Sequence, residues 1–352
     1  MPETVDLYGL TRVKLAQRLV AWGFSPVHAT RLWKYLHYEG IESVRAAVDL
    51  PSRLRERLIH DAFIPPLSVA AQTDSSDGLT AKFLLELADG QRVETVLMHF
   101  RGRVTACLSS QVGCALGCVF CATGQMGFGR NLSAGEIVAQ AMHVNRILRR
   151  GRGDDTPISN SRVKNIVLMG MGEPLLNYDA VMSAVENLSD PGGLAIGGKQ
   201  VTLSTVGVIP GILRLADEAR SCSLAVSLHA ASQEEREKMI PSARTWPLNE
   251  LMHACRYYTE RLGRKIFFEW TVIEGQNDSL EHAHALSNLI RGIPCQINLI
   301  PLNPTAAYAG QSPPDEIAEG FRSVLLDHGI PSTIRQRRGI DIAAGCGQLA
   351  IA

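Results

Sequence analysis

Three cysteines, Cys114, Cys118 and Cys121, stand in a CxxxCxxC run, and they are the residues in this sequence whose type and spacing best suit a reactive centre. They lie in the stretch CLSSQVGCALGCVFCATGQMGFGR, which runs from Cys107 to Arg130, so a fourth cysteine, Cys107, stands seven residues upstream of the run. Closely spaced thiolates favour soft metal centres: zinc, copper(I) or iron–sulfur clusters. Structural zinc sites usually pair two short Cys-containing units, or one such unit with downstream histidines, and no second unit occurs in the chain. Three thiolates offered to a four-iron cluster leave one iron open to a further ligand. A zinc-binding structural or RNA-docking module is the alternative reading of the same residues.

The elements that must position this loop follow from periodicity. The first 66 residues read as short helices. Thr11 caps a helix carrying Leu15, Leu19 and Trp22 on one face, and Ser25-Pro26 opens a second with Leu32, Trp33 and Leu36 inward. Pro51 opens a third, in which Leu54 and Leu58 repeat at helical spacing, and Pro65-Pro66 ends the block. From Thr80 the period changes to two. Segments 80–87 and 93–100 flank Ala88-Asp89-Gly90, a hairpin connection, and 103–108 adds a strand leading into the cysteines. Glu94 lies in the second of these strands; taken alone, a glutamate there reads as a surface or edge residue.

Beyond the cysteine loop, helices are expected at 134–149, 178–188, 211–220, 248–262, 280–291 and 314–328. They alternate with strands at 165–169, 200–205, 223–228, 266–272, 296–300 and 332–335. Such alternation with apolar strands indicates a parallel sheet covered by helices. Counting the strand before the cysteine loop gives six units, fewer than the eight of a closed barrel. The expected fold is α/β, an incomplete (β/α)6 barrel, with a doubly wound open sheet as competitor. A helical accessory domain is expected at 1–66, a β-hairpin extension at 67–106 and the partial barrel with its C-terminal loop at 107–352. The stretch 150–162, rich in Gly, Asp and Ser, reads as an exposed insertion.

In such folds ligands gather beyond the carboxyl ends of the strands. Gly170-Met171-Gly172-Glu173-Pro174 follows one strand, with glycines that permit close backbone approach and a carboxylate suited to an amine. Ser204-Thr205, Ser227-Leu228-His229 and Pro301-Leu302-Asn303-Pro304 follow others. Hydroxyls, an imidazole and an amide recurring after successive strands suggest one polar cofactor lying across the barrel mouth. Near the C-terminus Cys346 stands between two glycines, which suggests a turned loop presenting its thiol, whereas Cys222, Cys255 and Cys295 lie in regular patterns and read as packing residues.

Hydrophobic content of 45% with 20% charged residues is ordinary for a soluble protein. Formal net charge is zero, so a nucleic-acid partner requires a local basic patch. Two groups qualify: Arg146, Arg149, Arg150 and Arg152, which read equally well as a solvated face, and Arg335, Arg337 and Arg338, close to Cys346. No run approaches the ~18 apolar residues of a membrane helix, and the first residues lack the apolar stretch of a signal peptide. Eight cysteines in a chain of 352 residues fit metal chemistry in a reducing cytoplasm better than a secreted disulfide framework.

The CxxxCxxC loop resembles the one with which the radical S-adenosylmethionine (SAM) superfamily ligates a 4Fe-4S cluster. The longer run CLSSQVGCALGCVFCATGQMGFGRNL resembles the dual-specificity RlmN family and its Cfr relatives, which methylate adenosine in large-subunit ribosomal RNA. VETV around Glu94, GMGEPLLN from Gly170, LST at Leu203, SLHA from Ser227, EHAHAL from Glu281, INLIPLNP from Ile297 and CGQLA from Cys346 continue the match. The resemblance spans nearly the whole chain, with the N-terminal helices its least specific part.

It implies a partial barrel of radical SAM type, one 4Fe-4S cluster on Cys114, Cys118 and Cys121, and two SAM molecules consumed per methylation. Gly172 and Glu173 match the positions that hold the SAM amino group; Ser204, Ser227, Leu228, His229 and Asn303 match further SAM contacts. Cys346 matches the cysteine methylated on sulfur by one SAM. A second SAM, reductively cleaved, then gives a 5′-deoxyadenosyl radical that takes hydrogen from the S-methyl group, and the resulting thiomethylene radical adds to the adenine ring. Cys107 matches the cysteine that resolves the protein–RNA link by forming a disulfide with Cys346, and Glu94 matches the proton acceptor. The implied product is 2-methyladenosine in 23S ribosomal RNA, with transfer RNA as a further substrate and C8 or another adenosine as the alternative. Flavodoxin or ferredoxin is the implied electron donor, Arg335, Arg337 and Arg338 are candidate RNA contacts, and the expected location is the cytoplasm with no membrane partner. An electrophilic adenine carbon is poorly suited to attack a sulfonium methyl, so the cofactors carry radical chemistry and the protein positions them.

The chain departs from the family pattern in three places. The usual tail resembles DIDAACGQL, whereas this one reads DIAAGCGQL, with Gly345 directly before Cys346. The segment from Met239 to Arg244 lacks the P-x-N form common after SLHA, and Phe268-Glu269-Trp270 differs from the usual strand ending. These changes leave the cluster cysteines intact and bear on the substrate.

Overall fold

The computed structural model describes residues 4–150 and 162–351. Most of the expected insertion, and Arg152 with it, lies outside the described residues.

Among the described residues the largest sheet has ten strands. Seven run parallel in chain order: Arg103–Cys107, Asn165–Leu168, Val201–Thr205, Ser223–Ser227, Ile266–Val272, Cys295–Pro301 and Ser332–Ile334. Six helices follow the first six strands: Ala134–Arg150, Tyr178–Ser189, Ile209–Asp217, Leu248–Leu262, Leu280–Leu289 and Asp315–Asp327. The central strands are mostly apolar because helices cover them; Ile266–Val272 buries all but one residue. The sheet does not close. The other neighbour of Arg103–Cys107 is antiparallel Arg92–Phe100, followed by Thr80–Glu86 and Ser68–Asp74. The result is the incomplete barrel, six strand–helix units and one last strand, with the hairpin region extending its first edge.

The helical block forms as its caps and periodicity predict. Thr11 Oγ1 accepts from the Lys14 N–H at 3.3 Å, and the helix Arg12–Ala21 buries Leu15 and Leu19. Helix Val27–Trp33 continues through a π-helical turn, Lys34–Glu39, burying Leu32, Trp33 and Leu36, and Ser52–Asp61 buries Leu54 and Leu58. These side chains, those of the hairpin such as Phe83 and Val96, and those of the barrel such as Val226 and Leu299 form one continuous apolar cluster. The first basic group fastens the block to the barrel. Arg146 and Arg150 pair with Glu42 at 3.1 and 3.2 Å, and Arg149 donates to the carbonyls of Tyr38 and Glu39.

Periodicity does not predict the edge strand Ser68–Asp74, whose seven residues are all exposed and so carry no alternation. Two short sheets also escape it: Val5–Asp6 with Ala62–Phe63, and Gln111–Gly113 with Phe128–Asn131. The second matters, because it brackets the cysteine loop.

Candidate active site

The ribbon Gln111–Gly113 against Phe128–Asn131 closes the base of the loop that carries Cys114, Cys118 and Cys121. At Gly113 a Cβ would sit 2.0 Å from the Gly127 carbonyl oxygen, so only glycine lets the two strands meet there. The Cys114 N–H then donates to that same carbonyl at 2.8 Å, and the Val119 N–H to Met239 O at 3.0 Å. The thiols share one neighbourhood, since Cys114 and Cys118 both lie within range of the charge on Cys121. Burial pushes the Cys114 thiol up to about 11 and the Cys118 thiol higher still. Thiols in that state ionise when a metal's positive charge replaces the proton. Among the described residues no three His, Cys, Asp or Glu side chains converge as a single-ion site requires. A four-iron cluster binds each thiolate through a separate iron, so three thiols spaced around a loop fit it.

The loop forms one wall of a cavity at the carboxyl ends of the parallel strands, to which Cys118 and Cys121 contribute directly. Glu173, Ser204, Ser227 and Asn303 enter it from successive strand ends. Glu173 is buried, and its own N–H donates to Gln111 Oε1 at 2.8 Å, which ties it to the ribbon beneath the cysteines. Its oxygens accept from the Leu175 and Val206 N–H groups at 3.0 Å each. Burial pushes its carboxyl up to about 7 against those hydrogen bonds. Among the described residues no lysine or arginine pairs with it, so the carboxylate is suited to a cation brought by a ligand. Gly172 makes this approach possible: it has φ 98°, and a Cβ there would lie 2.5 Å from Gln111 Cβ.

His229 is held at φ 60°, a strained conformation of the kind that clusters at functional sites. Its Nδ1 accepts from the Thr271 N–H at 2.8 Å, which leaves Nε2 carrying the proton, and burial lowers its pKa to about 3, so the ring stays neutral. Asn303 Nδ2 donates to the Cys346 carbonyl at 3.1 Å, while its buried Oδ1 has no partner. Leu228 is the exception among the expected SAM contacts. Its side chain is in the core and its N–H donates to Glu269 O at 3.0 Å, so only its backbone serves the site. An unpaired carboxylate, two hydroxyls, a neutral imidazole donor and an orphaned amide oxygen beside the thiols form a donor set that fits a zwitterionic nucleoside such as SAM.

The C-terminal tail crosses this mouth. The Ala122 N–H, directly after Cys121, donates to Gly347 O at 2.8 Å, and Thr123 Oγ1 donates to Leu349 O at 2.6 Å. Cys346 is exposed as a residue but lines the cavity, and its charge reaches Cys107, buried at the end of Arg103–Cys107. Burial, with Cys346 adding to it, pushes the Cys107 thiol up to about 12. Cys107 pairs with Val96 in the ladder, and Glu94 lies two residues from Val96, so both project from the same face. Glu94 is 4% exposed, which corrects the surface reading of an isolated strand glutamate. One oxygen pairs with Lys82 Nζ at 2.9 Å and the other accepts from the Ala350 N–H at 2.9 Å. Burial raises its pKa, and these two partners oppose the shift.

A sequence profile of the radical SAM superfamily matches residues 108–286. A protein of Opitutus terrae named as a probable dual-specificity RNA methyltransferase RlmN 2 is 55% identical over 376 residues, which covers 99% of this chain and 87% of its own length. The chain belongs to the RlmN family of radical SAM methyltransferases. A second member, the dual-specificity RNA methyltransferase RlmN 1 of Myxococcus xanthus, is 53% identical over 346 residues, 98% of this chain and 94% of its own. The crystal structure of a radical SAM methyltransferase from Sphaerobacter thermophilus superimposes with a TM-score of 0.92 at 42% identity, covering 98% of this chain and 99% of that one. Membership in the RlmN family implies a 4Fe-4S cluster and SAM as cofactors. No helix among the described residues is long and apolar enough to cross a membrane.

Two residues of this RlmN-family site escape a reading of the sequence. Glu269, in the middle of its strand, is buried in the cavity wall, accepts from Asn298 Nδ2 at 2.8 Å and lies 3.8 Å from Arg335 Nη2. The available signal is a lone carboxylate in the apolar strand IFFEWTV. Arg236 belongs to the charged helix Gln233–Met239, whose composition reads as solvated, yet it is buried. Of the arginines expected to meet RNA, Arg335 lies at the cavity beside Glu269, and Arg337 donates to Leu302 O at 3.0 Å and to the Ser312 hydroxyl. Arg338 donates to Gln336 Oε1 at 3.1 Å and lies 4.8 Å over the Phe100 ring.

Proposed function

We propose that the chain methylates adenosine in RNA at carbon, forming 2-methyladenosine in 23S ribosomal RNA and in transfer RNA. The observation that carries this reading is that Cys346 lines the cavity with Cys118, Cys121 and Glu173 and lies within charge range of Cys107, on a tail bonded to Glu94 through the Ala350 N–H. Cys114, Cys118 and Cys121 hold the cluster; Gly172, Glu173, Ser204, the backbone of Leu228, Ser227, His229 and Asn303 hold SAM. Bound together, cluster and SAM supply a sulfonium methyl group and, on one-electron reduction, a carbon-centred radical able to abstract hydrogen.

The chain's own residues do the rest. Glu173 faces the SAM amino group with a carboxylate that carries no other cation. His229 offers a neutral N–H donor, and Asn303 an acceptor, where water would otherwise compete. Cys346 carries the methyl group on its sulfur and then bears the link to the adenine carbon. Glu94, made more basic by burial, takes the proton that leaves the ring carbon once the link has formed. Cys107 then attacks the sulfur of Cys346, and the bond from that sulfur to the methylene carbon breaks. The methylene takes up a proton to become the methyl group, and the disulfide that forms frees the methylated base; exchange of this kind needs a second thiol within reach. Electrons come from a small carrier such as flavodoxin or ferredoxin. The reduced thiols this cycle needs suit the cytoplasm.

A flipped or unpaired adenosine is the form that reaches such a mouth, with Arg335, Arg337 and Arg338 as candidate cationic contacts for its RNA. The deciding experiment is mass spectrometry of nucleosides from ribosomal and transfer RNA of a deletion strain and its parent. Loss of 2-methyladenosine from the deletion strain is expected in both polymers. Loss of 8-methyladenosine instead moves the chemistry to C8, and unchanged nucleosides refute RNA adenine as substrate. Metal analysis of anaerobically purified protein is expected to find four irons per chain; one zinc and no iron removes the cluster reading.

A further inference from the structure

Arg236 is 1% exposed, in the helix Gln233–Met239 whose last carbonyl, that of Met239, accepts from the Val119 N–H of the cysteine loop. Its Nη2 donates to the carbonyls of Val206 and, at 3.1 Å, Ser227, at the ends of the strands that carry Ser204 and Ser227. Its Nε is buried without a partner. Among the described residues no carboxylate pairs with it, and the anionic groups within reach of its charge are the thiols of Cys118 and Cys255. Cys255 is a packing cysteine of the helix Leu248–Leu262, whereas Cys118 belongs to the run of three cysteines. That leaves the Cys118 side of the guanidinium as the place for a counter-charge. Arginine does not escape burial by losing its proton at ordinary pH, and an unpaired buried charge is strongly unfavourable. A fold that keeps one therefore has an anion to put beside it.

We propose that Arg236 is the counter-ion of the cluster bound by Cys114, Cys118 and Cys121, and that its charge makes that cluster easier to reduce. A four-iron core with two positive charges, bound by three thiolates, carries one net negative charge, and adding an electron makes it two. A fixed cation nearby stabilises the more negative state, so it raises the reduction potential, for which net charge and hydrogen bonding are the protein's ordinary levers. The inference rests on the assignment of the cluster to these cysteines, which iron content of the parent protein tests separately. In the reaction Arg236 is a positioning residue: it touches the protein around the cluster, and its effect reaches the chemistry through the electron.

The competing role is a structural tie, since the guanidinium also links two strand ends. Arg236→Met removes the charge while filling the buried space, and Arg236→Lys keeps the charge but cannot reproduce the fork of hydrogen bonds. Both variants and the parent are reconstituted anaerobically, assayed for iron and sulfide, and titrated redox-potentiometrically with the reduced cluster followed by its electron paramagnetic resonance. The expected result is a midpoint shifted to more negative potential in Arg236→Met and held near the parent value in Arg236→Lys. Loss of iron from Arg236→Met alone also supports the proposal. An Arg236→Met cluster with the parent's midpoint overturns it, as do equal shifts or equal loss of iron in both variants, which assign the residue to the structural tie. A parent protein that takes up no iron overturns the cluster assignment beneath it.

Discussion

Alanine at Gly172 is expected to damage SAM binding out of proportion to its size. The backbone there has φ 98°, and a non-glycine residue held in such a region costs on the order of 1–3 kcal/mol. The added Cβ would also stand 2.5 Å from Gln111 Cβ and 2.8 Å from the Gln111 backbone nitrogen. Gln111 cannot swing away freely. Its Oε1 accepts from the Glu173 N–H at 2.8 Å and its Nε2 donates to Asn131 at 2.7 Å, so movement breaks two hydrogen bonds, each worth about 1 kcal/mol. The backbone nitrogen is no freer, since three residues on it becomes Cys114. Strain and lost bonds together come to roughly 3–5 kcal/mol, concentrated on the loop that aims Glu173. With about 1.4 kcal/mol per tenfold change in affinity, SAM should bind cluster-loaded Gly172→Ala at least tenfold more weakly in calorimetric titration. The melting temperature of the cluster-free variant should also fall. A variant that melts with the parent and binds SAM within twofold of it refutes the argument that this close approach sets the position of Glu173.

Cys107→Ala leaves Cys346 intact but removes the group that attacks its sulfur, so protein crosslinked to RNA should accumulate on denaturing gels; clean turnover by this variant sinks the resolving role. Glu173 makes the cluster-free fold pH-sensitive: its folded pKa, about 7, lies above the usual 4.5, so the folded state binds the extra proton between those values. Stability is therefore lost as pH rises through that window, by on the order of 3 kcal/mol for the full shift. Glu173→Gln should remove this slope in melting curves from pH 5 to 8, and parallel curves for variant and parent would contradict the assignment. After burial, Glu269 is the main group holding the Cys346 thiol above its ordinary range. Glu269→Gln should thus speed iodoacetamide labelling of Cys346, followed by peptide mapping at fixed pH, by a few-fold; an unchanged rate would separate the two residues.

What the sequence made legible tracks how local each signal is. Cys114, Cys118 and Cys121 stand out from spacing alone, because one loop carries all three thiols. Glu173 and Asn303 are visible as polar residues where a strand ends, and the parallel sheet brings those ends to one mouth. Glu94 and Cys107 are different. Each sits in an ordinary-looking strand, and although Cys107 stands seven residues before the cysteine run, nothing local gives either residue a role; their neighbours include a tail about 250 residues later, through contacts such as Ala350 N–H to Glu94. Only the family resemblance pointed to them. Arg236 failed for the opposite reason: QEEREKM announces a solvated helix, and the burial of one of its charges is a tertiary fact. The edge strand Ser68–Asp74 was missed because both its faces meet solvent, which erases the period-two pattern.

The way the tail is held bears on how one cysteine can serve several steps. Main-chain groups on both sides of Cys346 are fixed: Gly345 N–H donates to Gln348 Oε1 at 2.9 Å, Asn303 Nδ2 donates to the Cys346 carbonyl, and Gly347 O accepts from Ala122. Gln348 Nε2 closes the turn by donating to Pro304 O at 2.8 Å. None of these bonds engages the thiol. The backbone of Cys346 is thus located from the two sides that matter, the turn after the last cluster cysteine and the strand end that carries Asn303, while its sulfur is left to a single side-chain torsion. In the reaction proposed above, rotation about that one bond would let the sulfur serve both the cavity and Cys107 while the backbone stays in place. The residues bonded to the tail come from the cysteine loop, the Glu94 strand and the Asn303 turn together.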